Sequence, residues 1–140
     1  CEVDIAPLAD TLGASLDFSA ELEGDSRFRR FLAYRLDVPG EPVSYGTQTF
    51  CPPKHVDLPA AAIAVDVHRA NDRYQITVCC PAYAPFTELR LLGDAPKNRF
   101  SDNYFDLLPG VSVTVDHPDN GLSLREFKKQ LQIRALRDSF

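Results

Sequence analysis

The chain has 140 residues, enough for one domain or one domain with an appended piece. Hydrophobic residues make up 44% and charged residues 25%, an ordinary globular balance that excludes disorder. The net charge of −5 argues against nucleic acid as a partner, and no apolar run approaches the roughly 20 residues that a membrane helix needs. Arg27, Arg29 and Arg30 form the densest basic cluster, but Glu23 and Asp25 precede them, so the stretch reads as a solvated loop.

There is no methionine, and the chain begins at Cys1, which fits a piece of a longer product. An acyl site at Cys1 lacks a preceding signal segment in this sequence. The other cysteines are Cys51, Cys79 and Cys80. Cys79 and Cys80 adjoin in a strand-like run, so their side chains should point to opposite faces, unsuited to a shared zinc site or a mutual disulfide. A bridge from Cys51 to either stays open, with free buried thiols the expected state. Free thiols suit a reducing compartment, which tilts localisation towards the cytoplasm.

In chain order, the hydrophobic period is two almost throughout. Leu16–Leu22 alternates as a half-buried strand would, Phe31–Val38 is a second candidate ended by Pro39-Gly40, and Val43–Phe50 is a third. Cys51-Pro52-Pro53 then lacks backbone donors, predicting a stiff link and a boundary near residues 51–58. Ala62–His68 and Tyr74–Cys79 flank the polar Arg69–Arg73 and predict a β-hairpin. Phe86–Leu92 is a strand closed by Gly93-Asp94-Ala95-Pro96. Arg99–Leu107 and Val111–Val115 are expected as the next pair, joined at Leu108-Pro109-Gly110, and His117–Gly121 as a turn. Ser123-Leu124-Arg125-Glu126 has capping-box spacing, with Phe127 and Leu131 on one face, and predicts at most one short helical turn. Gln130–Leu136 alternates again and closes the chain as a strand. Many short strands between Gly, Pro, Asn and Asp turns, without intervening helices, predict an all-β antiparallel sandwich.

Catalytic patterns are absent. The chain lacks a Gly-x-Ser-x-Gly elbow, a phosphate-cradling glycine loop and a short His spacing for a metal among His55, His68 and His117. Asp116, Asp119 and Asn120 supply oxygen ligands on a turn but not a full calcium series, so no metal and no cofactor is expected. Asp102 and Asp106 could be nominated as a carboxylate pair on one strand face, although Asp and Asn at a strand corner usually bond backbone groups. Exposed aromatics would be needed to bind carbohydrate. Tyr83, Phe86 and Tyr104 are the candidate contacts, with core filling as the plainer reading.

The run Arg99-Phe100-Ser101-Asp102-Asn103-Tyr104-Phe105-Asp106-Leu107-Leu108-Pro109-Gly110 resembles the terminal immunoglobulin-like domain of β-mannosidases, members of glycoside hydrolase family 2. Thr49-Phe50-Cys51-Pro52-Pro53-Lys54 is similar to the entry into that domain, and Lys129–Phe140 to its closing strand. The resemblance implies an immunoglobulin-like sandwich over residues 51–140. It makes residues 1–50 the tail of a preceding sandwich-like domain or extra strands packed on the main one. It further implies a non-catalytic accessory piece whose partners are the remaining domains of a hydrolase acting on β-mannosides. The catalytic barrel of such enzymes is not in this chain, so no catalytic residue carries over. A carbohydrate-binding module is the alternative. Within the run, Asp102, Asn103, Phe105, Asp106, Pro109 and Gly110 read as a structural motif. The strand is expected to bend near Asp102-Asn103, and Pro109-Gly110 to occupy the middle of a type II turn.

Overall fold

A computed structural model describes residues 14–41, 43–93 and 99–139. Cys1 and most of the predicted turn at residues 93–96 lie outside them. Packing divides the chain into two compact units, one taking in residues up to 32 together with 48–56, the other 33–47 and the chain from 57 onward.

In the first unit, the predicted strand over Leu16–Leu22 is instead a sequence of turns leading into a 3-10 helix, Gly24–Phe28. Local bonding defeats the alternation. Asp17 Oδ1 accepts the Ser19 N–H at 2.9 Å, and Leu22 N–H bonds Phe18 C=O at 3.1 Å. Leu16 is 66% exposed, so no sheet face collects the apolar set. Phe18 packs edge-on against Phe50 with centroids 5.7 Å apart. The double proline enters a short 3-10 turn, Pro53–His55.

Strands β1 (Phe31–Leu36) and β2 (Ser44–Thr49) form a two-stranded sheet of their own. The Tyr34 ring lies over Gly46, and a larger residue there would push the ring aside.

The sandwich belongs to the second unit. One sheet has the order β3–β4–β7 and the other β6–β5–β8, all pairs antiparallel. Their bounds are β3 Ala64–Ala70, β4 Arg73–Cys79, β5 Ala84–Leu91, β6 Phe105–Leu107, β7 Val113–Pro118 and β8 Leu131–Arg134. The predicted β3–β4 hairpin is present, with Ala70 opposite Arg73. Asn71 takes the positive φ of 54° in its two-residue turn, a conformation that Asn tolerates. Alternation in β4 buries Tyr74, Ile76 and Val78, which meet Leu89 and Leu91 of β5, Leu107 of β6 and Val115 of β7 in one core.

The helix α1, Leu124–Gln130, has seven residues, about two turns rather than the single turn expected. The capping box forms as read: Ser123 N–H donates to Glu126 Oε2 at 2.9 Å, and Glu126 N–H to Ser123 Oγ at 3.3 Å. The helix buries Phe127, whose ring stacks on Tyr74 at 3.9 Å between centroids. A 3-10 turn, Leu136–Ser139, follows β8. Among the described residues, no helix is long and apolar enough to cross a membrane.

A pairing expected from the sequence is also corrected in this unit. Arg99–Leu107 and Val111–Val115 do not pair as neighbouring strands. Only Phe105–Leu107 is strand, and it pairs with β5, whereas β7 pairs with β4 in the opposite sheet. The segment before β6 starts against β7, where Ser101 N–H bonds Asp116 C=O at 2.8 Å, and then crosses to β5. Leu108-Pro109-Gly110 is therefore a crossover between sheets. Its turn closes with Val111 N–H to Leu108 C=O at 3.1 Å, and Gly110 has the predicted positive φ, 73°.

Candidate functional site

The residues singled out from sequence gather where the chain switches sheets. Asp102 Oδ1 accepts the Asn103 N–H at 2.8 Å, which turns the backbone. Asn103 then uses its side chain as a substitute strand neighbour. Its Oδ1 accepts Leu89 N–H at 2.7 Å, and its Nδ2 donates to Leu89 C=O at 2.9 Å. The same Oδ1 accepts the Tyr104 N–H at 3.1 Å. Tyr104 is thereby held at φ 60°, unusual for a bulky residue, and stands 62% exposed.

Asp106, three residues further on in β6, does the matching work nearer the start of β5. Between Ala84 and Thr87, β5 carries one residue more than β6, and Phe86 at this bulge has φ 52°. Asp106 Oδ1 accepts the Phe86 N–H at 3.0 Å and leaves the ring 50% exposed. Its Oδ2 accepts from the Tyr83 hydroxyl at 3.1 Å and from Thr47 Oγ1. Asp102 and Asp106 therefore do not form a carboxylate pair on one strand face. The backbone between them is bent, and both side chains accept backbone N–H groups.

The three candidate aromatics part company. Tyr83 is buried, its hydroxyl enclosed by Thr47 and Asp106, and burial pushes its pKa up to about 12. Phe86, in β5, and Tyr104, just before β6, are presented outward, flanking the Thr87–Phe105 pair. The Tyr104 hydroxyl donates to Glu88 Oε1 at 3.0 Å, a bond that raises the phenol pKa, while the nearby Arg90 opposes the rise.

Sequence reasoning passed over Glu88, Arg90 and Thr47. Glu88 and Arg90 were legible as the polar positions of the Phe86–Leu92 alternation. Thr47 was not, because 59 residues separate it from Asp106.

Residues 58–139, more than half of the chain, match the mannosidase Ig family, described as an Ig-fold domain. The chain belongs to that family. The matched segment of this Ig-fold domain holds the whole sandwich and its corner, and begins after the Thr49–Lys54 phrase. No curated protein matches the chain at significance.

Other candidate chemistry of the Ig-fold domain is taken up in ion pairs and caps. Asp116 pairs with Arg73 at 3.2 Å, and Asp119 with Arg69. Among the described residues there is no cluster of three or more ligand groups placed to hold a metal. Cys51, Cys79 and Cys80 are free thiols. His117 is buried in the core, its ring edge-on to Phe100 and Phe127. A groove of about 570 Å³ runs beside the β3 edge, lined by Ile63, Val65, Leu131 and Ile133, with Lys128 and Arg134 contributing.

Proposed function

We propose that this chain is a non-catalytic accessory domain of a β-mannosidase-type enzyme of glycoside hydrolase family 2, sitting at its C-terminal end and packing against the remaining domains. In this reading, residues 51–140 are the immunoglobulin-like sandwich and residues 1–50 the tail of a preceding sandwich-like domain or extra strands packed on the main one. The observation that carries it is the commitment of the corner. Asp102, Asn103 and Asp106 spend their side-chain acceptors on backbone N–H groups, with Asp106 also receiving Tyr83 and Thr47. A general acid needs a carboxyl kept neutral and free to reach a glycosidic oxygen, and a nucleophile needs an open approach. Asp106, with both oxygens occupied, lacks that freedom, and Asp102 has one oxygen committed to the Asn103 N–H. Membership of the mannosidase Ig family supports the sugar-cleaving context.

The test is direct. The 140-residue chain should fold cooperatively by circular dichroism and leave an aryl β-mannoside untouched. Turnover that disappears in Asp102→Asn or Asp106→Asn would overturn the proposal.

A further inference from the structure

The outward aromatics share a surface with a set of planar polar side chains. Along β5, Thr87, Leu89 and Leu91 are buried, while Phe86 and Arg90 are exposed and Glu88 is half-buried. The register with β8 sets Arg134 opposite Glu88 and Gln132 opposite Arg90. Directly opposed residues of an antiparallel pair lie on the same face. One face of the β6–β5–β8 sheet thus carries Tyr104, Phe86, Glu88, Arg90, Gln132 and Arg134.

We propose that this face binds a neutral β-linked oligosaccharide. The proposal rests on the reading of the chain as an accessory domain of a mannoside-cleaving enzyme, and adds to it a ligand site.

Sugar rings present an apolar C–H face and a rim of hydroxyls that both donate and accept. Tyr104 and Phe86 offer aromatic planes for the former. For the latter, Glu88 accepts, Arg90 and Arg134 donate, and Gln132 does both. Glu88 set among two arginines gives a face of mixed sign, which disfavours a strongly charged ligand. Three strands at about 4.8 Å spacing make a surface about 10 Å across, room for roughly two sugar rings.

Pre-organisation is the second argument. Tyr104 is fixed at its backbone by Asn103 and at its hydroxyl by Glu88, and the Phe86 backbone is fixed by Asp106. The Tyr104 ring, tied at both ends, loses little freedom on binding. A chain that places two bulky residues at positive φ and leaves both rings in water has not done so to fill a core.

The experiment is a ¹⁵N-resolved NMR titration of the 140-residue chain with β-1,4-mannohexaose to millimolar concentration. Expected are shifts confined to β5, β6 and β8 around these six residues, with affinity about tenfold lower in Tyr104→Ala, the scale of one lost aromatic contact. Spectra of the free variants report folding, and Arg90→Ala and Phe86→Ala carry the comparison if Tyr104→Ala is unfolded. Similar shifts with cellohexaose support the same chemical class. Absent shifts, shifts elsewhere, undiminished binding in the folded variants, or tighter binding of an anionic oligosaccharide would each overturn the proposal. Hydrolysis is not the readout, so the accessory-domain reading can stand or fall separately.

Discussion

The side-chain amide of Asn103 takes both backbone groups of Leu89, accepting its N–H at 2.7 Å and donating to its C=O at 2.9 Å. An amide side chain thus continues the β6–β5 ladder past the point where the main chain of β6 has turned away. Leu89 is itself buried, so water is poorly placed to replace either bond.

Asn103→Ala should therefore cost about 2–6 kcal/mol, two backbone groups left unpaired at about 1–3 kcal/mol each. Asn103→Asp keeps an acceptor for the Leu89 N–H but has no donor for its C=O, and should fall between parent and Ala variant. Urea denaturation of the three chains supplies the comparison. Equal midpoints for parent and Ala variant would mean that the corner relaxes and finds other partners.

The Tyr74–Phe127 stack joins α1 to the sheet, and the buried Tyr74 hydroxyl donates to the Leu122 C=O just ahead of the helix. Phe127→Ala opens a cavity in the core and should cost about 3–5 kcal/mol. Tyr74→Phe keeps the ring and strands a carbonyl, at about 1–3 kcal/mol. The two residues touch, so the double variant should lose less than the sum. Thermal unfolding of the singles and the double closes this cycle, and strict additivity would count against a coupled unit.

What was legible in the sequence tracks the range of the interactions involved. The β3–β4 hairpin and the Ser123 capping box are set by neighbours within a few residues, and both formed where the pattern placed them. The bend at Asp102-Asn103 was legible too, because Asp and Asn bond locally. Which sheet each side of the bend joins was not. That choice depends on Asn103 meeting Leu89 and Ser101 meeting Asp116, contacts with no local signature. Leu16–Leu22 shows the reverse failure: a period of two is only permission to form a strand, and the Asp17 turn preempted it. Among the aromatics, residue type could not separate buried Tyr83 from exposed Phe86 and Tyr104. The difference arises from one bulge and two positive φ values.

Acid should probe the turn that follows β7, at residues 119–121. Asp119 has its pKa lowered, first by the Gly121 N–H and further by Arg69 and Tyr74, with burial opposing. A carboxyl depressed in the folded state contributes stability above its unfolded value, 3.8, and loses it as pH falls through the lower folded value. The melting temperature should therefore drop below about pH 4 through this group among others. Asp119→Asn should be less stable than the parent at neutral pH and show a shallower acid slope. Identical slopes in the two chains would remove Asp119 from the account.

Alkali should probe the Tyr83 enclosure. Burial is the largest cause of its raised pKa, the Asp106 charge and hydrogen bond add to it, and the bond with Thr47 opposes them, leaving it at about 12. A phenol raised in the folded state favours its neutral form. Its contribution to stability is complete below the unfolded value of 10.0 and is lost as pH rises through about 12. Ultraviolet titration of phenolate should show a late step near pH 12 that is missing in Tyr83→Phe. Thr47→Val removes the bond that lowers the pKa and should move the step still later while the fold persists. A Tyr83 step at the ordinary value of 10.0 would show that water reaches the hydroxyl, and that Asp106 holds Phe86 without the buried pair behind it.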